Sequence, residues 1–169
     1  MKIALIGTHG IGKTTIVYEL AAALKKKGEN VGILSEVVRD CPLPVNEQAT
    51  KEAQKWILFT QIARELELES KYKILICDRS VLDDYAYFFN KFGEDAVLEH
   101  LISEYLKTYS FLFKVPIRNF LINDGFRSVD FNFQKEIDEK LSYLLEKFNQ
   151  KCISFESIDK ALDLIHPKA

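Results

Sequence analysis

The sequence predicts an α/β fold, specifically a three-layer α/β/α sandwich around a five-stranded parallel sheet. Short apolar runs typical of buried strands alternate with segments of helical periodicity, and a glycine-rich motif follows the first run. The 169 residues fit a single domain, residues 1–169, and a content of 47% hydrophobic and 28% charged residues is typical of a globular protein. We therefore expect ligands to bind at the carboxyl ends of the strands.

The first strand leads into a phosphate-binding loop. Ile3 to Ile6 is a short apolar run, Gly7 to Thr14 matches G-x-x-x-x-G-K-[ST], and a helical pattern runs from Ile16 to Lys27. A glycine-rich turn that binds nothing is the alternative, but the flanking strand and helix favour a P-loop NTPase. The residues predicted to contact the nucleotide are Gly7, Thr8, His9, Gly10, Ile11, Gly12, Lys13, Thr14 and Thr15.

Each residue type in this loop suits a triphosphate. The glycines lack the Cβ that would block the approach of backbone N–H groups to phosphate oxygens, and the following helix adds its positive dipole end. We expect Lys13 to contact the β- and γ-phosphates, Thr14 to give its hydroxyl to Mg²⁺, and Thr15 to lie near the α-phosphate. His9 should contribute backbone more than side chain. The predicted cofactors are ATP and Mg²⁺.

Four further strands and six further segments complete the predicted chain. One long helix from Thr50 to about Ser70 should present one apolar face, and the segment from Pro116 to Phe133 lacks a clean period and predicts a lid at about residues 116–133. The predicted strands are Val31–Leu34, Lys73–Cys77, Ser110–Val115 and Cys152–Phe155. The apolar faces predicted for three helices are Trp56, Phe59, Ala63 and Leu66; Val97, Leu101, Ile102, Tyr105 and Tyr109; and Ile137, Leu141, Leu144, Leu145 and Phe148. The other segments are the aromatic stretch Tyr85 to Phe92 and a short final helix from Ser157.

Charged side chains follow the predicted strands. Asp78 ends the third strand, where a carboxylate can hold the water shell of Mg²⁺, and Glu36 follows the second strand, where it can serve a hydroxyl. Four of the five arginines also follow strands, and arginine is suited to bidentate phosphate recognition. The alternative is that polar loops simply accommodate arginine. These four arginines are Arg39, Arg79, Arg118 and Arg127.

Composition excludes several classes of protein. A formal net charge of −2 gives no general attraction to nucleic acid or to an anionic membrane, and no apolar stretch approaches the eighteen or so residues that span a bilayer. Three widely spaced cysteines suggest neither a disulfide framework nor a metal clamp. We expect a cytoplasmic protein with neither a nucleic-acid nor a membrane partner.

Four sequence motifs carry a resemblance to a known family. They are the loop Gly7 to Thr14, Glu36-x-x-Arg39, Asp78-Arg79-Ser80 and Asp124-Gly125-Phe126-Arg127. Together the motifs resemble P-loop kinases of the nucleoside and nucleoside-monophosphate type, including thymidylate kinases and deoxynucleoside kinases. More narrowly, the chain resembles small AAA-type ATPase/kinase-like proteins related to ribosylnicotinamide kinase domains. The loop from residue 40 to 49 departs from the thymidylate kinase pattern.

The resemblance implies roles for residues outside the phosphate loop. Glu36 would act as general base toward the acceptor hydroxyl or bind it, and Arg39 and Arg79 would orient the acceptor. Asp78 would lie near magnesium, and Arg127 would close over the transferring phosphoryl group. The implied catalytic set is therefore Lys13, Glu36, Arg79 and Arg127. A homodimer is the assembly that the resemblance suggests.

The leading hypothesis is a Mg²⁺/ATP-dependent phosphotransferase acting on a nucleoside, a nucleotide or a similar small metabolite. The alternative is an ATP hydrolase or ATP-binding switch that acts with a protein partner. A GTPase is disfavoured because the string nearest to N-K-x-D, Asn90-Lys91-Phe92-Gly93, lacks the aspartate. A AAA+ motor usually needs a longer chain with a helical subdomain.

Overall fold

The computed structural model describes residues 1–45, 48–117 and 131–167 and confirms the predicted α/β fold. The strands are β1 (Lys2–Ile6), β2 (Val31–Leu34), β3 (Ile74–Asp78), β4 (Phe111–Lys114) and β5 (Ile153–Ser154). The helices are α1 (Lys13–Lys26), α2 (Lys51–Glu69), α3 (Val81–Phe92), α4 (Ala96–Leu106), α5 (Phe131–Lys147) and α6 (Ile158–Ile165). A 3-10 turn, Val37–Asp40, follows β2.

The five strands form one parallel sheet in the order β2-β3-β1-β4-β5. The register places Ile3 of β1 opposite Ile76 of β3 and opposite Phe111 of β4. The central position of β1 carries the glycine-rich loop to the middle of the carboxyl edge, with the ends of β3 and β4 on either side. Ligands of such sheets bind at this edge.

Alternate side chains of β1 enter two separate cores, as the three-layer prediction requires. Ile3 and Leu5 pack into the core that α1 and α6 cover, and Ala4 and Ile6 pack into the core that α2, α3, α4 and α5 cover. All four side chains are fully buried. The central strand therefore has no solvent-facing side, and its residues 3–6 read as a continuous apolar run.

The apolar face predicted for α2 is mostly wrong, although Trp56 does pack against the core. Phe59 and Leu66 are 48% and 59% exposed, and Ala63 is also exposed. The buried face instead holds Ala53, Gln54, Ile57, Leu58, Gln61 and Glu65. Polar side chains occupy the interior here because hydrogen bonds between Gln61, Glu65 and distant elements satisfy them, which periodicity along one helix cannot anticipate.

The predicted apolar face is partly wrong for α4 and confirmed for α5. Val97 is 78% exposed and α4 ends at Leu106, so the predicted face of α4 is only partly right: the helix buries Leu98, Ile102 and Leu106. The face predicted for α5 is confirmed, because Ile137, Leu141, Leu144 and Leu145 are buried and Phe148 packs against them. Residues 131–133 form the first turn of α5, and residues 118–130 of the predicted lid lie outside the described residues.

Other boundaries moved by a few residues. Helix α1 begins at Lys13, β3 extends to Asp78, and β5 has two residues. The aromatic stretch from Tyr85 to Phe92 is the greater part of α3. None of the described helices is long and apolar enough to cross a bilayer.

Candidate active site

The phosphate loop connects β1 to α1 and requires glycine at both ends. Gly7 has φ +142, and a Cβ there would lie 2.9 Å from the carbonyl oxygen of Val115. Gly12, at the N-cap of α1, has φ +85, in the left-handed region that favours glycine. The glycines of the motif therefore allow the backbone conformation of the loop. The loop in turn places the N-terminus of α1 at the carboxyl edge of the sheet.

Lys13 lies within the loop rather than in solvent. Its Nζ donates to the carbonyl oxygens of Gly7 at 2.8 Å and Thr8 at 2.6 Å, and the residue is 4% exposed. Burial and the neighbouring Arg79 guanidinium lower the pKa of Lys13 to about 8, although the Asp78, Asp83 and Glu36 carboxylates oppose this. A phosphate placed in the loop would favour the charged ammonium and raise that pKa again.

Thr14 and Asp78 meet although 64 residues separate them. The Thr14 hydroxyl donates to Asp78 Oδ2 at 2.5 Å, and Asp78 Oδ1 is buried with no hydrogen-bond partner among the described residues. A hydroxyl beside a carboxylate with a free oxygen is a donor set that suits Mg²⁺, which prefers hard oxygen ligands and retains several waters. These two residues fit the predicted magnesium site.

Three residues of the predicted acceptor site also come together. Glu36, which is 4% exposed, accepts from Arg79 Nε at 2.8 Å and Arg79 Nη2 at 2.7 Å through Oε1. Its Oε2 accepts from Arg39 Nε at 3.2 Å. Arg79 is buried, whereas the Arg39 side chain is 44% exposed. The arrangement offers a carboxylate and two guanidinium groups beside the phosphate loop.

The charge of Arg79 is secured by its surroundings. Burial alone would lower its pKa, but Tyr87 and the carboxylates of Glu36, Asp83 and Asp84 together raise the pKa above its ordinary value. The guanidinium carbon also lies 4.7 Å from the centroid of the Tyr87 ring. Arg79 is thus a fixed cation at the edge of the sheet.

Two residues of α3 that sequence reasoning missed hold the phosphate loop. Asp83 Oδ1 accepts from the backbone N–H of Gly7 at 2.8 Å, and Asp83 Oδ2 accepts from the N–H and hydroxyl of Ser80 at 2.8 Å each. Tyr87, one turn further along, contacts His9 Nδ1 through its hydroxyl at 3.1 Å. The string Ser80-x-x-Asp83 is a capping-box signal that could have located Asp83.

The His9 side chain makes packing contacts in addition to the backbone contribution that the sequence predicts. The prediction was a largely backbone contribution, and its carbonyl does accept from Gln134 Nε2 at 2.7 Å. The His9 ring is also buried, with its centroid 5.5 Å from that of Phe133 and 6.4 Å from that of Tyr87. The histidine therefore packs the phosphate loop against α3 and the first turn of α5.

The remaining predicted residues are distributed as follows. Thr8, Gly10 and Ile11 are buried in the loop, whereas Thr14 and Thr15 are exposed at the start of α1, where a ligand could reach them. Arg118 and Arg127, together with the Asp124 motif, lie outside the described residues. Among the described residues no group of three or more histidine, cysteine, aspartate or glutamate side chains could hold a metal ion.

The parallel sheet, the loop and the Asp78-Arg79 turn define a P-loop α/β fold, which solved nucleoside and nucleotide kinases share. Within that fold class, the chain belongs to an AAA domain family, AAA_28, whose model matches residues 2–160. The predicted resemblance and fold class are therefore confirmed.

Solved structures with this fold share little sequence with the chain. A NadR protein in complex with NR has a TM-score of 0.73 at 19% identity, over 98% of this chain and 50% of the NadR chain. Thymidylate kinase from Ehrlichia chaffeensis has a TM-score of 0.72 at 17% identity, over 98% of this chain and 97% of that chain. Deoxyadenosine kinase from M. mycoides, with dCMP and dCDP bound, has a TM-score of 0.65 at 17% identity, over 98% of this chain and 96% of that chain.

These likenesses show the fold, and the chain spans half the length of the NadR protein. No curated protein sequence matches the chain significantly.

Proposed function

We propose that the protein is a Mg²⁺/ATP-dependent phosphotransferase that moves the γ-phosphoryl group of ATP to a nucleoside, a nucleotide or a similar small metabolite. The observation that supports the proposal is that two clusters of polar side chains lie along one sheet edge. The phosphate loop with Lys13 lies beside the Glu36, Arg39 and Arg79 cluster, and Arg79 influences the pKa of Lys13. A donor site next to an acceptor site is what phosphoryl transfer between two small molecules requires.

The phosphate loop would bind the donor. Backbone N–H groups of residues 7–15 and the N-terminus of α1 would surround the phosphates, with the Lys13 ammonium on the β- and γ-phosphates. Thr14 and Asp78 would hold Mg²⁺, which neutralises phosphate charge when bound. These groups would position the γ-phosphoryl group and offset the negative charge of its oxygens.

Glu36, Arg39 and Arg79 would bind the acceptor. Glu36 would accept the proton of the acceptor hydroxyl or a hydrogen bond from it. The two arginines would orient the polar groups of the acceptor. The acceptor oxygen forms a bond to the γ-phosphorus as the bond from that phosphorus to the β-bridging oxygen breaks, and the hydroxyl proton passes to Glu36 or to water. Arg127 of the proposed lid would then stabilise the transferring group.

The first experiment measures ADP formation with Mg²⁺ and ATP, alone and with a panel of nucleosides, nucleoside monophosphates and nicotinamide riboside. Stimulation by one acceptor, with the phosphorylated product identified by mass spectrometry, would establish the kinase and its substrate. Slow turnover that no acceptor changes would instead favour the ATP hydrolase or switch that acts with a protein partner.

Two lysine variants of α1 control this assay. Lys13→Ala should abolish ATP turnover with little loss of fold, whereas Lys26→Ala, at an exposed position in the last turn of the same helix, should retain it. Unaltered turnover in Lys13→Ala would contradict the phosphate-loop assignment.

A homodimer is part of the proposal, and light scattering would distinguish a mass of 19.5 kDa from twice that value.

A further inference from the structure

A cluster of four buried polar residues lies away from the phosphate loop. Lys2, Gln61 and Glu65 are at most 1% exposed and Tyr109 is 7% exposed. They come from β1, α2 and the turn that follows α4. Burying an ammonium, a carboxylate and an amide is costly unless every group has a partner, so a cluster of this kind calls for a physical reason.

Glu65 is the centre of the buried cluster. Its Oε1 accepts from the Tyr109 hydroxyl at 2.7 Å and from Gln61 Nε2 at 2.8 Å, and its Oε2 lies 2.8 Å from Lys2 Nζ. Burial, together with the Glu65 carboxylate, raises the pKa of Tyr109, so its phenol keeps the proton that it donates. Two hydrogen bonds to Oε1 and an ion pair at Oε2 fix that carboxylate in the interior.

Two contacts lead from the buried cluster to the turn between β3 and α3. Gln61 Nε2 also donates to the backbone carbonyl oxygen of Arg79 at 3.3 Å. The backbone N–H of Val81 donates to the Tyr109 hydroxyl at 3.2 Å. The cluster therefore holds the backbone on both sides of Ser80.

The turn between β3 and α3, which the buried cluster holds, has a strained backbone. Arg79 has φ +94, and among the described residues the other non-glycine residue with positive φ is Asn149, a residue type that tolerates this conformation better. Such a conformation costs of order 1–3 kcal/mol and persists only where the surroundings enforce it. Here it accompanies the contacts of the Arg79 guanidinium with Glu36 and with the Tyr87 ring.

We propose that Gln61 and Tyr109, anchored on Glu65 and Lys2, are positioning residues that hold Arg79 in its strained backbone conformation and so present its guanidinium to the phosphoryl acceptor beside Glu36. The inference rests on the proposed function for the role of Arg79 in acceptor binding. A purely structural cluster would stabilise the fold without affecting the acceptor site selectively.

Two tyrosine variants separate these roles. Tyr109→Phe removes the hydroxyl that bridges Glu65 and the Val81 N–H. Tyr105→Phe removes a second hydroxyl beside Lys2, which accepts from Lys2 Nζ at 3.3 Å and donates to the carbonyl oxygen of Ile62 in α2 at 3.5 Å; neither partner belongs to the turn. We expect Tyr109→Phe to raise the KM for the acceptor about 10-fold at an unchanged KM for ATP, because a hydrogen bond is worth about one factor of ten. Tyr105→Phe should keep both constants.

Gln61→Leu is a second variant that keeps the proposal testable if Tyr109→Phe folds poorly. Leucine approximates the volume of glutamine and removes the donor to the Arg79 carbonyl, so it should reproduce the selective rise in the KM for the acceptor. Thermal unfolding of all three variants measures any loss of stability. A cluster with a purely structural role would lower the stability and leave the KM for the acceptor unchanged. A loss of stability without the selective change in KM would overturn the proposal.

A readout that does not require phosphoryl transfer is the hydrogen exchange of the Arg79 Nε–H, followed by NMR in the ¹⁵N-labelled protein. In the wild type the bond to Glu36 protects this proton, and we expect at least 10-fold faster exchange in Tyr109→Phe and wild-type exchange in Tyr105→Phe. Equal exchange in both variants would overturn the inference. If the wild type phosphorylates no acceptor, the proposed function fails while this exchange still decides the positioning role.

Discussion

At the scale of single residues, the two arginine positions on the carboxyl edge differ in how they are held. Arg79 is buried against Glu36 and Tyr87, whereas Arg39 reaches Glu36 from a side chain that is 44% exposed. A buried arginine contributes to the fold as well as to binding. An exposed one can be removed with less effect on the fold, so it reports more directly on ligand binding.

Arg39→Ala should therefore raise the KM for the acceptor about 10-fold with little change in the KM for ATP, since one charged hydrogen bond is lost. The matched control is Arg64→Ala, which removes a guanidinium that pairs with Asp40 at 2.5 Å, at the end of the same 3-10 turn. Steady-state kinetics with both substrates varied gives the result. Equal effects of the two variants would argue that Arg39 only stabilises the turn.

Asp84 is a buried carboxyl in α3 whose protonation should be visible in stability. Burial raises its pKa to about 8, the carboxylates of Asp83, Glu65 and Glu36 add to the rise, and Arg79 opposes it. The folded state therefore binds more protons than the unfolded state between about pH 4 and pH 8. Wild-type stability should fall as pH rises through that window.

Asp84→Asn removes this titration and keeps the side-chain size. The free energy of unfolding of the variant should gain on that of the wild type by up to about 1.4 kcal/mol per pH unit between pH 5 and pH 7. Urea denaturation at three pH values measures the two slopes. Exposed Asp159→Asn in α6 is the control and should run parallel to the wild type, and parallel profiles for Asp84→Asn would contradict the prediction.

At the scale of elements, α3 is the helix that organises the site. Its N-terminal capping box uses Ser80 and Asp83, and the same Asp83 accepts from Gly7 in the phosphate loop. Tyr87 on the next turn contacts both His9 and Arg79. One helix face thus touches the donor side and the acceptor side of the candidate site.

Asp83→Ala should accordingly destabilise the protein by about 2–4 kcal/mol, because three buried donors lose their acceptor, and it should also raise the KM for ATP. Asp95→Ala provides the matched control, since Asp95 caps α4 by accepting from Val97 and Leu98. That change should cost about 1 kcal/mol without altering ATP binding. An unchanged KM for ATP in Asp83→Ala would show that the bond to Gly7 does not shape the nucleotide site.

At the scale of the whole molecule, the candidate site joins the ends of β1, β2 and β3 with α1, α3 and α5. A ligand bound there contacts several elements that unfold together, so binding should stabilise the entire fold. Saturation at 100 times the Kd adds about 2.7 kcal/mol, which corresponds to roughly 5–10 °C in Tm for a chain of this size.

Differential scanning fluorimetry with Mg²⁺ and a non-hydrolysable ATP analogue measures this shift. Mg²⁺ alone should give a small change, and Lys13→Ala should lose most of the shift produced by the analogue. A wild-type Tm that the analogue leaves unchanged would exclude tight nucleotide binding and with it the proposed function.

Much of the fold could be predicted because its signals are local. The apolar run from Ile3 to Ile6, the motif that ends in Thr14 and the periodicity of α5 each lie within a short window of sequence. The apolar face of α2 could not be predicted, because Gln61 and Glu65 are buried through partners on β1 and after α4. The exposure of Phe59 follows from the same cause.

The sequence by itself determined the parallel sheet, the phosphate loop and the identity of the residues at its carboxyl edge, since chain neighbours share one turn and parallel strands end at one edge. Tertiary structure decided which of these residues meet. Asp83 reaches Gly7 across 76 residues, and Gln61 and Tyr109 reach the backbone beside Ser80. Such contacts depend on how helices pack on the sheet, and that packing is a property of the whole chain rather than of any segment.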